Sequence, residues 1–134
     1  MVVSYTNDFA NPELGAQTAQ ELISQGNNMI FGITGFIGNG AILTTTQSGM
    51  WAIGVDFDYY MHTFENGTVP GAEKLLTSTL KNWDVGVYDT ISDTLVGAFT
   101  SGTVLYDLAQ RWVGLAPFHD AEAPSHLDKR SSWR

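Results

Sequence analysis

Residues 29–58 read MIFGITGFIGNGAILTTTQSGMWAIGVDFD and contain two apolar runs of strand length, at 29–33 and 50–55. Continuous apolar runs of this length are typical of strands that are buried on both faces of a parallel sheet. A glycine-rich loop and a weak helix, predicted over 41–47, lie between the two runs. Parallel strands need a crossover connection of this kind, so the stretch predicts a β-α-β unit.

The residues before this unit predict one more strand and one more helix. Asn11, Pro12 and Glu13 form a helix start, with a side-chain cap, a proline at the first position and an acid in the first turn. Apolar residues at helical spacing follow, and Gly26 marks the end of the helix. Residues 2–5 predict a first strand. The order β-α-β-α-β is typical of a right-handed, doubly wound, mostly parallel α/β sheet.

The residues after the unit predict a strand at 75–80, a helix capped by Asn82 and a β-hairpin within 98–118. The predicted domain is a single α/β lobe over 1–118, and a polar tail occupies 119–134. The apolar positions of the helix recur every four residues and predict a buried stripe formed by Trp83, Val87, Ile91 and Leu95.

Composition excludes several classes of function. The 134 residues include 14 acidic and 6 basic side chains, for a net charge of −8, which argues against a surface that binds nucleic acid. The chain has no cysteine, so it has no disulfide, no zinc-thiolate site, no thiol nucleophile and no lipid-bearing cysteine. Its length suits one domain with one core.

Candidate site residues follow the predicted strands. Ligands of such sheets bind outside the carboxyl ends of the strands, where Asp8–Phe9, Gly35–Gly40 and Asp56–Asp58 are expected to converge. Each group has a second interpretation. Phe9 is either a stacking surface or a core residue, and the glycine loop is either a close approach to a ligand or a tight turn. Asp56 and Asp58 with His62 form either a metal or acid/base site, or one binding carboxylate and one solvated carboxylate.

Several motifs, in order along the chain, resemble the basic membrane protein (BMP) family, the nucleoside-binding lipoproteins of ABC importers. The family patterns QGaDvIf, aIGVDsDq and LTSxxK have counterparts at 25–31, 51–58 and 76–82, and further matches precede and follow them. The matching segments are VSYTNDFANP at 3–12, QGNNMIF at 25–31, TGFIGNG at 34–40, WAIGVDFD at 51–58, LTSTLKN at 76–82 and VGLA at 113–116.

The resemblance implies roles for four residues. Phe9 matches the aromatic residue that stacks on a purine base, and Gly35 matches the loop where the backbone approaches the ligand. Asp56 matches the carboxylate that accepts hydrogen bonds from ribose hydroxyls, and Lys81 matches a lysine at the polar edge of the ligand. The resemblance implies a binding protein with no catalytic residue, metal or cofactor.

The resemblance also implies a larger context. A family member has two lobes of the type I periplasmic-binding-protein fold, and this chain matches the second lobe. The helix at about 83–97 then normally packs on the first lobe, and the partners are a purine nucleoside and an ABC permease. The resemblance implies an extracytoplasmic or membrane-associated location.

Some positions depart from the family pattern, which leaves other functions open. Asn11 and Asn28 replace aspartates, and Phe57 and Tyr59 replace a small residue and a glutamine around Asp58, which makes that rim more aromatic. The first alternative is a truncated or repurposed lobe that acts as a structural subunit and forms homo-oligomers. A weaker alternative is a small metal-dependent hydrolase.

Overall fold

A computed structural model describes residues 1–121, which form a four-stranded sheet flanked by helices. No helix within this range has the length and apolarity needed to cross a membrane. The elements in chain order are α1 (Pro12–Ser24), β1 (Met29–Phe31), α2 (Ile37–Gln47), β2 (Trp51–Asp56), α3 (Tyr59–His62), a 3-10 turn (Ala72–Lys74), β3 (Leu75–Lys81), α4 (Trp83–Leu95) and β4 (Val113–Leu115).

The sheet is mostly parallel, with strand order β1-β2-β3-β4. β1 pairs with β2 and β2 with β3 in parallel, whereas β4 runs antiparallel to β3. Asp56 lies opposite Leu80, so the carboxyl ends of β2 and β3 lie side by side. The predicted α/β class is confirmed.

α1 begins as the sequence predicts. The side chain of Asn11 accepts hydrogen bonds from the backbone N–H groups of Glu13 and Leu14, at 3.0 and 3.3 Å. The helix ends at Ser24, and Gly26 follows it with a φ of 86°, a conformation that favours glycine.

α2 begins at Ile37, four residues before the predicted start, and includes the threonine run. The hydroxyl of Thr45 donates to the carbonyl of Ala41 at 2.7 Å, and the hydroxyl of Thr46 donates to that of Leu43 at 3.1 Å. Since each hydroxyl finds a partner on the preceding turn, these buried threonines are compatible with the helix.

α1 and α2 pack closely against each other, and α2 also packs on β1 and β2. Two glycines permit the approach, because a Cβ added to Gly15 would overlap the carbonyl of Ile37 and one added to Gly40 would overlap that of Pro12. Buried side chains from the helices, the strands and the loop before β3 form the core cluster of Ile42, Ala52, Tyr59, Phe64, Ala72 and Leu75.

The predicted first strand is absent, because residues 2–5 pair with none of the strands within 1–121. Val2, Val3 and Tyr5 are exposed. A run with high β propensity forms a strand only where a neighbouring ladder and a buried face stabilise it, and neither is present here.

The predicted hairpin within 98–118 is also wrong. Only residues 113–115 of this segment form a strand, and their partner is β3 rather than a neighbouring run. Backbone bonds from Ala116 N–H to the carbonyl of Ser78, at 2.8 Å, and from Asn82 N–H to that of Trp112, at 2.9 Å, extend this long-range pairing.

α4 begins at Trp83, as predicted, but ends at Leu95 rather than near residue 97, and its burial differs from the prediction. Its N-cap residue, Asn82, makes no side-chain capping bond and donates instead to the carbonyl of Arg111 at 2.7 Å. The helix packs on the segment before β4, through Gly86 beside Tyr106 and a 2.9 Å hydrogen bond from Trp112 to Asp89. The opposite face is exposed, so the expected buried stripe is wrong for Trp83, Val87, Ile91 and Leu95.

Candidate functional site

A cleft of about 240 Å³ lies where β2 ends, between the loop after β1 and the start of α4. It is the place that the strand-end rule for parallel sheets predicts. Its lining is mainly aromatic and apolar, with a few polar groups. The lining residues are Thr34, Gly35, Phe36, Asn39, Asp56, Phe57, Tyr59 and Trp83.

Asp56 supplies the carboxylate of the cleft. It is the last residue of β2 and has a φ of 74°, a left-handed conformation that aspartate tolerates better than most residues. The side chain is 34% exposed, yet its Oδ1 atom is buried and has no hydrogen-bond partner among the described residues. The Lys81 ammonium lies 2.5 Å from this oxygen, so the two groups form an ion pair.

Lys81 reaches the edge of the cleft from the neighbouring strand. It is the last residue of β3 and follows Leu80, the register partner of Asp56. Its Nζ atom lies 5.7 Å from the centroid of the Trp83 ring, a distance within the range of a cation–π interaction. Since half of the Lys81 side chain is exposed, water screens its pairing with Asp56.

Gly35 lines the cleft and lies directly against the backbone of Phe9. A Cβ added to Gly35 would lie 2.8 Å from the carbonyl oxygen of Phe9, and the same oxygen accepts from the Ile37 N–H at 3.3 Å. The Phe9 residue is 75% exposed, so it is not the core residue of the second interpretation. It lies beside the cleft rather than in its lining.

Two aromatic rings after β2 form one side of the cleft. Phe57 stacks on Tyr59 with a centroid distance of 4.8 Å and an interplanar angle of 4°. The ring of His62 meets Phe57 edge-on at 5.3 Å. Burial and, secondarily, the charge of Asp56 raise the pKa of Tyr59 above its ordinary value, so this residue is neutral at physiological pH.

Asp58 belongs to a different cluster, in which the start of α3 contacts residues 119–120. One of its oxygens accepts from the Tyr60 N–H at 3.1 Å and the other lies 2.8 Å from Nε2 of His119. The His119 ring stacks on Tyr60 at 4.0 Å, and the Tyr60 hydroxyl donates to Asp120 at 2.7 Å, a bond that raises the pKa of Tyr60. The start of the predicted polar tail is therefore packed on α3, and residues 122–134 lie outside the described range.

The alternative site of Asp56, Asp58 and His62 is not assembled. Asp58 caps α3 and pairs with His119, whereas His62 packs on Phe57. Within residues 1–121, no three side chains of the metal-binding types are grouped as a metal site.

The structure thus places Gly35 and Asp56 in one cleft, with Lys81 paired to Asp56 and Phe9 beside Gly35. Sequence reasoning missed Trp83 as a lining residue, because its spacing within α4 pointed to a helix core. The strand-end rule could have identified it, since the residue lies two positions after the end of β3.

Comparison with known proteins identifies the family to which the chain belongs. The model of the Bmp family, described as "ABC transporter substrate-binding protein PnrA-like", matches residues 1–132. The chain is 33% identical over 145 aligned positions to a CD4+ T-cell-stimulating antigen of Listeria innocua, and 32% identical to the protein of the same description in Listeria monocytogenes. Each alignment covers 98% of this chain but only 40% of the relative, so the chain spans less than half the length of these curated relatives.

Solved structures give the same fold. An ABC transporter solute-binding protein from Aeropyrum pernix K1 aligns with a TM-score of 0.68 and 27% identity, over 84% of this chain and 30% of that one. A transcriptional activator of the comK gene from Bacillus halodurans aligns with a TM-score of 0.79, over 96% and 42% of the two chains. At 18% identity, the second match shows the fold alone. The chain belongs to the Bmp family of PnrA-like ABC transporter substrate-binding proteins.

Proposed function

We propose that this chain is part of the substrate-binding component of an ABC importer, and that it binds a purine nucleoside without changing it chemically. The observation that carries the proposal is Asp56, whose carboxylate lines an apolar cleft, is 34% exposed and is paired through Oδ1 with Lys81. A partly exposed carboxylate in a cleft accepts charge-assisted hydrogen bonds from hydroxyl donors of a ligand, and such bonds are about twice as strong as neutral ones.

The surrounding residues fit the same ligand. Lys81 brings a positive charge beside Asp56, and Gly35 contributes backbone to the lining of the cleft. The exposed ring of Phe9 offers a flat apolar surface next to Gly35, suited to stacking on a base. In this proposal, these four residues are the ligand-binding set.

The cleft is smaller than a complete binding site. Small-molecule pockets typically measure about 300–1,000 Å³ and enclose most of their ligand, whereas this one measures about 240 Å³. We therefore propose that residues 1–118 act as one lobe of a two-lobed receptor and that α4 packs on the other lobe. The receptor's further partner in this proposal is an ABC permease, and its location is extracytoplasmic or membrane-associated.

Titration of the ¹⁵N-labelled chain with adenosine, guanosine and inosine at millimolar concentration tests the proposed ligand. At least one nucleoside is expected to shift backbone resonances of residues 34–36 and 56–57, with weak affinity because one lobe buries only part of the ligand. Asp56→Asn is expected to weaken this binding at least tenfold. Asparagine also tolerates a positive φ, so the variant keeps the backbone and removes the charge.

Glu21→Gln is the matched control, because it removes one negative charge from an exposed position on α1. It is expected to bind as the unmodified chain does. Nucleoside binding that Asp56→Asn retains in full would contradict the role of Asp56, and the absence of any resonance shift would contradict the nucleoside.

A second candidate function is assembly, as a structural subunit. The observation that favours it is the apolar face of α4, on which Val87, Ile91 and Leu95 are all exposed. Apolar surfaces of this kind mark sites of association between proteins. A nucleoside titration without effect, combined with stable self-association, would favour this candidate over a binding function.

A further inference from the structure

We propose that Trp83 is a specificity-determining residue of the cleft, and that its indole contacts a flat, conjugated ring of the ligand. The inference rests on the proposed function. It adds Trp83 to the ligand-binding residues and predicts that the cleft prefers ligands that carry a flat, conjugated ring. It follows from the position, the exposure and the neighbours of Trp83.

The first step is the exposure of the indole. Trp83 is the first residue of α4, lines the cleft and is 69% exposed. An apolar side chain of this size is costly to leave in water, at about 25 cal/mol for each Å² of apolar surface. Since most of Trp83 is exposed within residues 1–121, a ligand in the cleft is a group positioned to remove part of the ring from water.

The second step is the aromatic ring across the same lining. Phe57 is held by Tyr59, which stacks on it in parallel, and by the edge of His62. Its position is thus fixed before a ligand arrives, which lowers the entropic cost of binding. Phe57 and Trp83 together present aromatic surface to the contents of one cleft, an arrangement that favours a planar ligand group.

The third step is the position of the indole close to the charged pair of Asp56 and Lys81. The Lys81 ammonium contacts Asp56 and also lies 5.7 Å from the centroid of the Trp83 ring. Hydrophobic and charged groups therefore lie within one ligand length of each other. A molecule with a flat ring attached to a hydroxyl-bearing group satisfies both ends at once.

Trp51 provides a comparison inside the same chain. It also has a lysine over its ring, because Nζ of Lys74 lies 4.9 Å from the Trp51 centroid. This pair lies at the amino end of β2, away from the cleft. At Trp51, a contact with a lysine accounts for a tryptophan at the surface, and no ligand is needed. Trp83 differs from Trp51 because it also lines the cleft.

The experiment measures adenosine binding to the 134-residue chain and to three variants by titration of ¹⁵N-labelled protein. Trp83→Leu is expected to weaken adenosine binding about threefold to tenfold, since an aromatic stack contributes roughly 0.5–1.5 kcal/mol beyond buried area. Trp83→Phe retains a ring and is expected to recover most of the affinity, whereas Trp51→Leu is expected to leave it unchanged.

The indole Nε1–H resonance of Trp83, assigned by its loss in Trp83→Leu, supplies a readout that a purely structural role would not move. It is expected to shift on addition of adenosine, while that of Trp51 does not. Unchanged affinity in Trp83→Leu, or equal losses in the leucine and phenylalanine variants, overturns this inference alone. If the unmodified chain binds none of adenosine, guanosine and inosine, the proposed nucleoside function is overturned and this inference with it.

Discussion

Single residues at the end of β2 determine the chemistry of the cleft. Asp56 leaves the strand in a left-handed conformation, and its carboxylate is brought to Lys81 of the next strand. The sequence identified both residues, because strand ends and the family motif mark them. It could not identify their contact, since the pairing depends on the register of β2 with β3, which no local pattern encodes.

Tyr59 makes stability depend on pH in the alkaline range. Its pKa is raised mainly by burial, so the folded state holds the phenolic proton more tightly than the unfolded state does. Below the unfolded value of about 10, both states are protonated and this contribution is fully present. As the pH rises from there through the folded value, the unfolded state ionises first, and the free energy of unfolding falls.

Urea unfolding at pH 8 and pH 11 checks this expectation. The loss of stability between the two pH values is expected to be smaller in Tyr59→Phe than in the unmodified chain. Tyr5→Phe serves as the control, because Tyr5 is 85% exposed. An equal alkaline loss in all three proteins would show that burial of Tyr59 contributes nothing.

At the scale of elements, predictions succeeded where local chemistry determines structure. The start of α1 is encoded in adjacent residues: Pro12 occupies the first helical position, and the side chain of Asn11 makes both capping bonds within three positions. The hairpin within 98–118 failed because its apolar runs pair with a strand more than thirty residues earlier, as Leu115 does with Thr79. Distant pairing of this kind leaves no periodic trace in the segment itself.

Gly40 tests the packing of α1 on α2. Gly40→Ala is expected to lower the free energy of unfolding by about 1–3 kcal/mol, because the added methyl group meets the backbone of Pro12 and the helices must separate. Urea unfolding monitored by circular dichroism measures the change. Gly114→Ala is the matched control, since its new Cβ would find its nearest neighbour, on Asn82, at 3.9 Å.

The sign of the Gly40 result decides the interpretation. Alanine has the higher helix propensity, by about 1 kcal/mol, so a helix whose packing tolerated the methyl group would become more stable. A stabilised Gly40→Ala protein would therefore contradict the close backbone contact between α1 and α2.

For the whole molecule, the family was predictable from the order of several short motifs, although each of them is weak alone. The burial of α4 was not. Its apolar residues are spaced as in an amphipathic helix. Such spacing shows that one face of the helix is apolar, but it does not show which part of the protein, or which partner, covers that face. In the described residues the segment before β4 packs on α4 at Gly86, whereas Val87, Ile91 and Leu95 are exposed.

The exposed face of α4 predicts self-association of the chain. Sedimentation velocity is expected to show species larger than a monomer at tens of micromolar, and Ile91→Glu is expected to shift them toward monomer by placing a charge on that face. Gln20→Glu adds the same charge to an exposed position on α1 and is expected to have no effect. A monomeric unmodified chain would contradict the prediction.

The contacts between the start of α3 and residues 119–120 also have a consequence for the order in which the chain folds. Asp58 meets His119, and Tyr60 meets Asp120, across separations of 61 and 60 residues. Closing a loop of that length costs more entropy than pairing β2 with β3, whose partners are 23 or 24 positions apart. We therefore expect these contacts to form late, after β4 has joined β3, and to complete the support of the helix next to Phe57. The side of the cleft that Phe57 and Tyr59 form is then expected to be among the last parts of the molecule to become ordered.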